Sequence, residues 1–416
     1  MRELLRDRVY IRYWLAVVTS FLGDGIAKVT VIFVAADLTD SPALFIAAIV
    51  IAQLLPSGVL GTFIGPLVDR MSPRVLLVGA DLARVVIVLA MIFAVDSAWL
   101  LVVLIFLEGL GKAVFETARM AAIPKVVGKH SIPVAIALFQ STVQALNLAG
   151  PLLGGFLILV AGVKLAFVVN AVTFVVSALL LGSIAVLKEA TVTAAGPGQY
   201  WSSLRTGVTG VLSIGSLRLV AWAMVPVMLA IGLFTTNVNT QLLAGFDLPA
   251  FEFGLAQAML GGGAIVGAFL GPALVRRLSL TGLLAGAVAL FAVSLLVLWP
   301  IDDRWPGSGL ALVCAWCALV GLGMSLVQVP VANILLRDLP EDLRGRGIAL
   351  LNAVMINFSI VGVLLGGVVA NAIGAAASIV LTGVVLLPPA LVLLSRSRTE
   401  KKNLAPAADT EAGVPR

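Results

Sequence analysis

Long runs of apolar residues dominate the sequence, and short polar segments separate them. Each run has at least 18 residues, which approaches the roughly 20 apolar residues that an α-helix needs to cross a bilayer. We count twelve runs, at residues 11–36, 43–67, 75–95, 98–120, 133–160, 165–187, 218–243, 253–275, 281–300, 308–335, 347–371 and 375–395. They lack the alternation of transmembrane β-strands, and they predict an all-α membrane protein with twelve transmembrane helices.

The composition agrees with this pattern. Of the 416 residues, 61% are hydrophobic and 12% are charged. An average soluble domain has about 45–50% apolar and about 25% charged residues. The composition therefore excludes a soluble globular protein.

Basic residues are distributed unevenly between the two sides of the predicted bundle. With the N-terminus inside, most of the 27 lysines and arginines fall on cytoplasmic segments, and only Lys164 and Arg304 face outward. This positive-inside pattern predicts a multi-pass protein of the cytoplasmic (inner) membrane, in contact with lipid and with both termini cytoplasmic. The net charge of +6 then reflects topology, and we expect no nucleic-acid partner.

Residues with catalytic or metal-binding chemistry are scarce. The only histidine, His130, lies in a predicted loop, and Cys314 and Cys317 lie within the tenth run. One histidine and two cysteines supply neither a metal-ligand cluster nor a Ser-His-Asp triad, and the sequence has no Gly-rich phosphate loop. We therefore expect no enzymatic activity, no metal and no cofactor.

Several motifs recur at about half the chain length. Gly109-Leu-Gly111 returns as Gly321-Leu-Gly323, Gly150-Pro-Leu-Leu-Gly-Gly155 as Gly362-Val-Leu-Leu-Gly-Gly367, and Gly65-Pro66 as Gly271-Pro272. Such repeats are typical of transporters built from two six-helix halves.

The duplication defines four regions of the chain. We predict an N-terminal six-helix bundle at 1–187 and a C-terminal six-helix bundle at 218–395. The hydrophilic interval 188–217 is a cytoplasmic linker that can hold a short surface helix. The polar tail 396–416 is predicted to be a disordered cytoplasmic segment.

The segment after the second run carries a loop motif. Gly65-Pro-Leu-Val-Asp-Arg-Met-Ser-Pro-Arg74 resembles G-x-L-a-D-R-x-G-R-[KR], the loop between helices 2 and 3 of the major facilitator superfamily. The resemblance implies two six-helix bundles, transport by alternating access and a cytoplasmic gate at this loop. The predicted gate residues, including two near the cytoplasmic end of helix 4, are Gly65, Asp69, Arg70, Arg74, Glu116 and Arg119.

Helix 5 contains a second motif, which consists of Gly150, Pro151, Gly154 and Gly155. It resembles the antiporter signature of the superfamily's exporters, with Leu146 at the first glycine position. Other segments, such as Leu22-Gly-Asp-Gly-Ile26, resemble the effector, macrolide and siderophore exporters. The exporter arginine motif of helix 4 is absent, which weakens the likeness to proton-coupled drug antiporters in particular.

A competing resemblance centres on helix 1. Asp24-x-x-x-Lys28 is similar to the Asp-Asn-x-x-Lys motif of lysophospholipid transporters in the same superfamily, with Gly25 in place of Asn. This resemblance implies a lysophospholipid flippase as the alternative function.

Eight ionisable residues lie within the apolar runs, and all belong to the first half: Asp24, Lys28, Asp81, Arg84, Glu108, Lys112, Glu116 and Arg119. Each costs about 2.5–3.5 kcal/mol near mid-bilayer, so they must face protein or a water-filled cavity. Asp24 with Lys28, and Glu108 with Lys112, share a helix face because each pair is four residues apart.

We predict that Asp24, Lys28, Glu108 and Lys112 line a central cavity and serve proton coupling. Which of the two carboxylates carries the proton stays open. For Asp81 and Arg84 we favour a structural ion pair.

The second half contributes neutral polar groups, for which we favour interhelical hydrogen bonds. As alternative cavity candidates among them we select Asn237, Asn239, Gln241, Gln257, Gln328 and Asn357. A cavity charged on one wall and amide-like on the other suits an amphipathic molecule. The sequence thus predicts a monomeric secondary transporter that exports amphipathic small molecules in exchange for protons. The alternatives are the lysophospholipid flippase and a membrane sensor that does not transport.

Overall fold

The computed structural model describes residues 4–39, 41–60, 71–128, 131–188, 215–305, 309–338 and 341–411. Within these ranges every regular element is helical. The main helices are α1 Arg8–Asp37, α2 Pro42–Leu55, α3 Pro73–Met91, α4 Ala98–Val126, α5 and α6 together Ile132–Gly182, α7 Gly215–Thr240, α8 Ala250–Val275, α9 Leu280–Leu296, α10 Gly309–Asp338, α11 Glu341–Ile373 and α12 Ala375–Glu411. Short 3-10 or π turns occur at Leu4–Arg6, Pro56–Leu60, Ala185–Lys188 and Gln241–Gly245, and Leu298–Asp302 extends α9.

Nine helices among the described residues are long and apolar enough to cross a membrane. One of them, Ile132–Gly182, has 51 residues and leaves helical geometry at Gly162, where φ is 78°. A positive φ favours glycine, and this residue divides α5 (132–161) from α6 (163–182). Of the two remaining predicted segments, α2 is a shorter apolar helix, and the more highly charged α3 is not among the nine.

Local sequence explains several helix starts. The Asp7 carboxylate accepts a hydrogen bond of 2.8 Å from the Val9 amide and thereby caps α1. Ser72 and Ser279 cap α3 and α9 in the same way. Such side chains satisfy amides that have no partner within the first helical turn.

Glycines show that the two halves use the same helix contacts. In the first half α1 meets α5 where Gly25 faces Gly150, and a Cβ on Gly25 would lie 2.8 Å from the Gly150 Cα. In the second half α7 meets α11 where Gly232 faces Gly362. Close approach of small residues is a common way to pack membrane helices, and here it supports the duplication.

A second pair of glycine contacts shows that Arg84 of the first half and Phe291 of the second half occupy equivalent positions. Gly111 of α4 packs on the Arg84 side chain of α3, and Gly323 of α10 packs on the backbone and Cβ of Phe291 in α9. Phe291 is fully buried, and its ring makes an edge contact with Phe234 at 6.2 Å between centroids. The duplicated scaffold therefore holds an arginine in one half and a phenylalanine in the other.

The two halves touch closely at one end of the bundle. We call the end where α1 begins the near end, and the end where α1 finishes the far end. A Cβ on Gly155 of α5 would lie 3.1 Å from the Gly254 Cα of α8, and one on Gly367 of α11 would lie 2.7 Å from the Ala47 Cβ of α2. Both contacts lie toward the far end and hold the halves together there.

The predicted linker is mostly outside the described residues, whereas much of the predicted tail is described. Most of the predicted linker, residues 189–214, lies outside the described residues. In the tail, where composition predicts disorder, α12 has helical backbone as far as Glu411.

Candidate functional site

A cavity of about 510 Å³ lies between the two halves. Residues of α1 to α5 line one side, and residues of α7, α8 and α10 line the other. The cavity lies on the near side of the contacts made by Gly155 and Gly367. All four charged residues predicted for a central cavity border it: Asp24, Lys28, Glu108 and Lys112.

Arg84 organises the charges behind this cavity. Its side chain is fully buried, and its guanidinium forms ion pairs with both Asp24 and Glu108. The Nε atom donates to Glu108 at 2.8 Å. One planar guanidinium can engage two carboxylates because its N–H groups form a rigid fork. Arg84 thus connects α3 to α1 and α4.

Neighbouring small and aromatic residues make room for this arginine. Gly111 leaves the space that the Arg84 side chain fills, since a Cβ there would lie 2.6 Å from the Arg84 Cγ. The Phe174 ring lies 4.0 Å from the guanidinium carbon, which adds a cation–π contact. The arrangement therefore depends on α4 and α6 as well as on the ion pairs.

Asp81 lies on the buried side of the network. One of its carboxylate oxygens is 3.8 Å from Arg84 Nη1 and accepts a hydrogen bond of 3.3 Å from the Ser20 hydroxyl. The predicted pairing of Asp81 with Arg84 is present, but it is the longest contact of the guanidinium with a carboxylate. The central position of Arg84 was not predicted from the sequence. The available signal was an arginine whose counterpart in the second half, Phe291, is apolar.

The two lysines of the cavity differ in their partners. Lys112 Nζ lies 3.1 Å from Asp24, and the Lys112 side chain is 38% exposed. Lys28 is exposed at the cavity surface and forms no ion pair with any residue in the described part of the chain. Although Asp24 and Lys28 share a face of α1, Asp24 pairs across helices with Arg84 and Lys112.

The wall from the second half is neutral. Asn239 and Gln257 line the cavity, as expected from the sequence, and the Gln257 amide donates to the Asn239 side chain. Asn239 in turn donates to the Thr235 carbonyl at 2.7 Å. Gln53 and Asn147, which were not predicted from the sequence, add two further amides from the first half.

The other predicted amides lie elsewhere. Asn237 donates to the Ser378 hydroxyl of α12 at 2.6 Å, and Gln241 donates to Asp302 at 2.6 Å. These hydrogen bonds hold helices of the second half together, so the assignment of both residues to the cavity is corrected. Gln328 and Asn357 are also not among the residues that border the cavity.

Only part of the predicted gate can be placed. Gly65, Asp69 and Arg70 lie outside the described residues, and Arg74 lies in the first turn of α3. Glu116 and Arg119 form an ion pair of 2.7 Å within α4.

The surroundings of Arg119 belong to the first half. The Phe139 ring lies 3.8 Å from the Arg119 guanidinium carbon, and the Tyr13 hydroxyl donates to the Arg119 carbonyl at 2.7 Å. These contacts join α1, α4 and α5 at the near end and stabilise the first bundle.

The glycine motif of α5 serves contacts on two sides. Gly150 and Gly154 face α1, where a Cβ on Gly154 would lie 3.0 Å from the Ile26 carbonyl oxygen. Gly155 faces α8 of the other half, and Pro151 borders the cavity. The motif therefore packs α5 within its own bundle and against the partner bundle.

The described residues offer few ligands for a metal ion. Within the described ranges, no group of three or more His, Cys, Asp and Glu side chains is placed to hold a metal ion. Cys314 and Cys317 are free thiols in α10, and Cys317 is buried. His130 lies outside the described residues.

Comparison with known sequences identifies relatives over nearly the whole chain. The sequence profile of the Major Facilitator Superfamily matches residues 13–359 and 283–415. The uncharacterized MFS-type transporter YfiS of Bacillus subtilis (strain 168) is 24% identical over 389 residues, which cover 90% of each chain. Macrolide efflux protein A of Streptococcus pyogenes is 21% identical over 388 residues, which cover 91% of this chain and 93% of the relative.

Comparison with solved structures shows the same fold. A bacterial homologue of the iron transporter ferroportin, solved in an inward-facing state, aligns with a TM-score of 0.70 and 16% sequence identity. The alignment covers 92% of this chain and 98% of that chain. At this identity the likeness concerns the fold alone.

Proposed function

The chain belongs to the Major Facilitator Superfamily of membrane transporters, and on this premise we propose that it exports amphipathic small molecules in exchange for protons. The observation that carries the proposal is the ion network of Asp24, Arg84, Glu108 and Lys112 beside a cavity between two repeated bundles. Macrolide efflux protein A, a relative over most of the chain, supports export as the direction.

The arrangement of the halves supports alternating access. The bundles meet closely at the far end through Gly155 and Gly367, and the cavity lies on the near side of these contacts. Rocking one bundle against the other would open the far end and close the near end around a fixed central site. From the positive-inside pattern we assign the near end to the cytoplasm, and we propose a monomer in the cytoplasmic membrane with both termini inside.

The ion network offers a means of proton coupling. Asp24 and Glu108 both bind Arg84, and Asp24 also binds Lys112 at 3.1 Å. Protonation of either carboxylate removes its negative charge and weakens its ion pairs. Because these pairs join α1, α3 and α4, a proton entering from outside changes how the helices that line the cavity are held.

Reconstitution into proteoliposomes with an imposed pH gradient tests this function. We expect movement of amphipathic dyes or a macrolide driven by the gradient, together with proton flux that depends on the substrate. Asp24→Asn and Glu108→Gln should reduce gradient-driven transport by at least about tenfold, a change of roughly 1.4 kcal/mol. Asp303→Asn is the matched control, since Asp303 is exposed beyond α9.

The outcomes separate the alternatives. If both carboxylate variants transport like the wild type, the proposed coupling is wrong. Uptake that depends on an acyl chain and needs no proton flux would favour a lysophospholipid flippase. Ligand binding without flux would indicate a sensor.

A further inference from the structure

At the cavity surface both acidic side chains are paired with cations within the protein, whereas one basic side chain is not paired with any acid in the described ranges. The Asp24 and Glu108 side chains are only 11% and 16% exposed, and both are engaged by Arg84. Lys112 takes the remaining oxygen of Asp24 at 3.1 Å. Arg84 and Lys112 thus balance the charges of the two carboxylates. A substrate with an amine would have to displace the buried Arg84 to bind either acid.

Lys28 is the charge that this balance leaves over. It borders the cavity, is exposed there, and forms no ion pair with any residue that the structure describes. Asp81 does not compensate it, because Asp81 is fully buried and lies against Arg84 and Ser20. An unpaired ammonium within a membrane span is unfavourable. Its presence at the cavity surface therefore indicates that the positive charge serves the ligand that enters the cavity.

The rest of the cavity surface suits the other parts of such a ligand. Neutral amides of Asn239, Gln257 and Asn147 provide hydrogen bonds, and most of the remaining lining is apolar. No acidic side chain from the second half borders the cavity among the described residues.

We infer that the transported molecule carries an anionic group, a phosphate or a carboxylate, which binds Lys28 within this cavity. Lys112, which is partly exposed beside it, supplies a second cation at the edge of the same surface. The apolar part of the ligand lies along the second half. This inference rests on the proposed transport function and narrows its substrates to amphipathic anions.

A pair of dyes with one ring system and opposite charge tests the inference. Fluorescein is an anion at neutral pH, and rhodamine 123 is a cation with the same xanthene core. Binding of each to the purified full-length protein in neutral detergent can be measured by fluorescence polarisation. We expect fluorescein to bind the wild-type protein more tightly than rhodamine 123.

Three variants show whether Lys28 is responsible. Lys28→Gln should weaken fluorescein binding by at least about tenfold, and Lys28→Arg should retain most of it because the charge is kept. Lys164→Gln removes an exposed lysine at the start of α6, outside the cavity lining, and should leave binding unchanged. Thermal unfolding of each variant controls for the fold.

Competition distinguishes two sources of the anion. Displacement of fluorescein by lysophosphatidylglycerol, increasing with acyl-chain length, would identify a lipid headgroup as the natural anion. Displacement by dodecanoate without such a preference would identify a soluble amphipathic acid. Either result supports an anion site.

The failures of the two proposals can be told apart. Tighter binding of rhodamine 123, equal loss in Lys28→Gln and Lys164→Gln, or binding of neither dye would overturn the anion inference. Gradient-driven transport of rhodamine 123 would then leave the export function standing. Conversely, Lys28-dependent fluorescein binding with no gradient-driven transport of any dye would contradict the export function and leave the anion site standing.

Discussion

The two halves of the molecule pack their helices alike but fill equivalent positions with opposite chemistry. Gly111 of α4 packs on Arg84, which binds two carboxylates, whereas Gly323 of α10 packs on Phe291, which contacts the Phe234 ring. The second half shows that this fold packs well with an aromatic residue there. Since apolar replacement of a buried ion pair is often neutral or stabilising, stability alone does not account for the charges of the first half, in agreement with the proposed transport role.

The same substitution at both equivalent positions tests this comparison most strongly. Arg84→Met leaves Asp24 and Glu108 without their shared cation, and removal of one partner from a buried pair costs about 3–5 kcal/mol. Phe291→Met exchanges one large apolar side chain for another and should cost about 1.5 kcal/mol or less. Thermal or denaturant unfolding of the purified variants measures the difference. Equal losses of stability in the two variants would show that the ion pairs of Arg84 contribute no more than the packing of Phe291.

A graft of the charges onto the second half tests the comparison from the other side. Val320 is fully buried and corresponds to Glu108 in the repeat. Val320→Glu should destabilise the protein by roughly 2.5–3.5 kcal/mol, because the second half offers no arginine there. Adding Phe291→Arg should recover about 0.5–3 kcal/mol of that loss through the new pair. Val320→Gln is the neutral control, and absence of any coupling in the double variant would refute the equivalence of the positions.

The smallest effect concerns two neighbouring amides of α7. Asn237→Ala removes a hydrogen bond to Ser378 and should lower stability by about 0.6 kcal/mol, without changing dye affinity. Asn239→Ala alters the cavity wall and should change dye affinity. Unfolding and fluorescence polarisation on the same samples measure both quantities. If Asn237→Ala changed affinity as much as Asn239→Ala, the division between packing and cavity amides would fail.

The sequence predicted the fold well because membrane helices are defined by long apolar runs. The separation of the fifth and sixth runs is confirmed, and the break lies at Gly162, where φ is 78°. The length of α12 could not be predicted from the sequence, because the polar residues 396–411 continue the helix without an apolar pattern.

The sequence selected four charged residues that border the cavity, but it did not predict their contacts. Spacing correctly placed Asp24 and Lys28 on one face of α1, and both border the cavity. It could not show that Asp24 pairs with Arg84, 60 residues away, because that choice depends on how α1, α3 and α4 pack. Asn237 and Asn239 were treated alike, although residues two apart on a helix point in different directions.

The network around Arg84 also has a consequence for biogenesis. α3 contains Asp81 and Arg84 and is not among the helices apolar enough to cross a membrane by themselves. During synthesis, α3 emerges before Glu108 of α4 has been made, so its arginine lacks one of its anions. We therefore expect α3 to insert more stably once α4 follows and both dock on α1, so that these three helices integrate cooperatively.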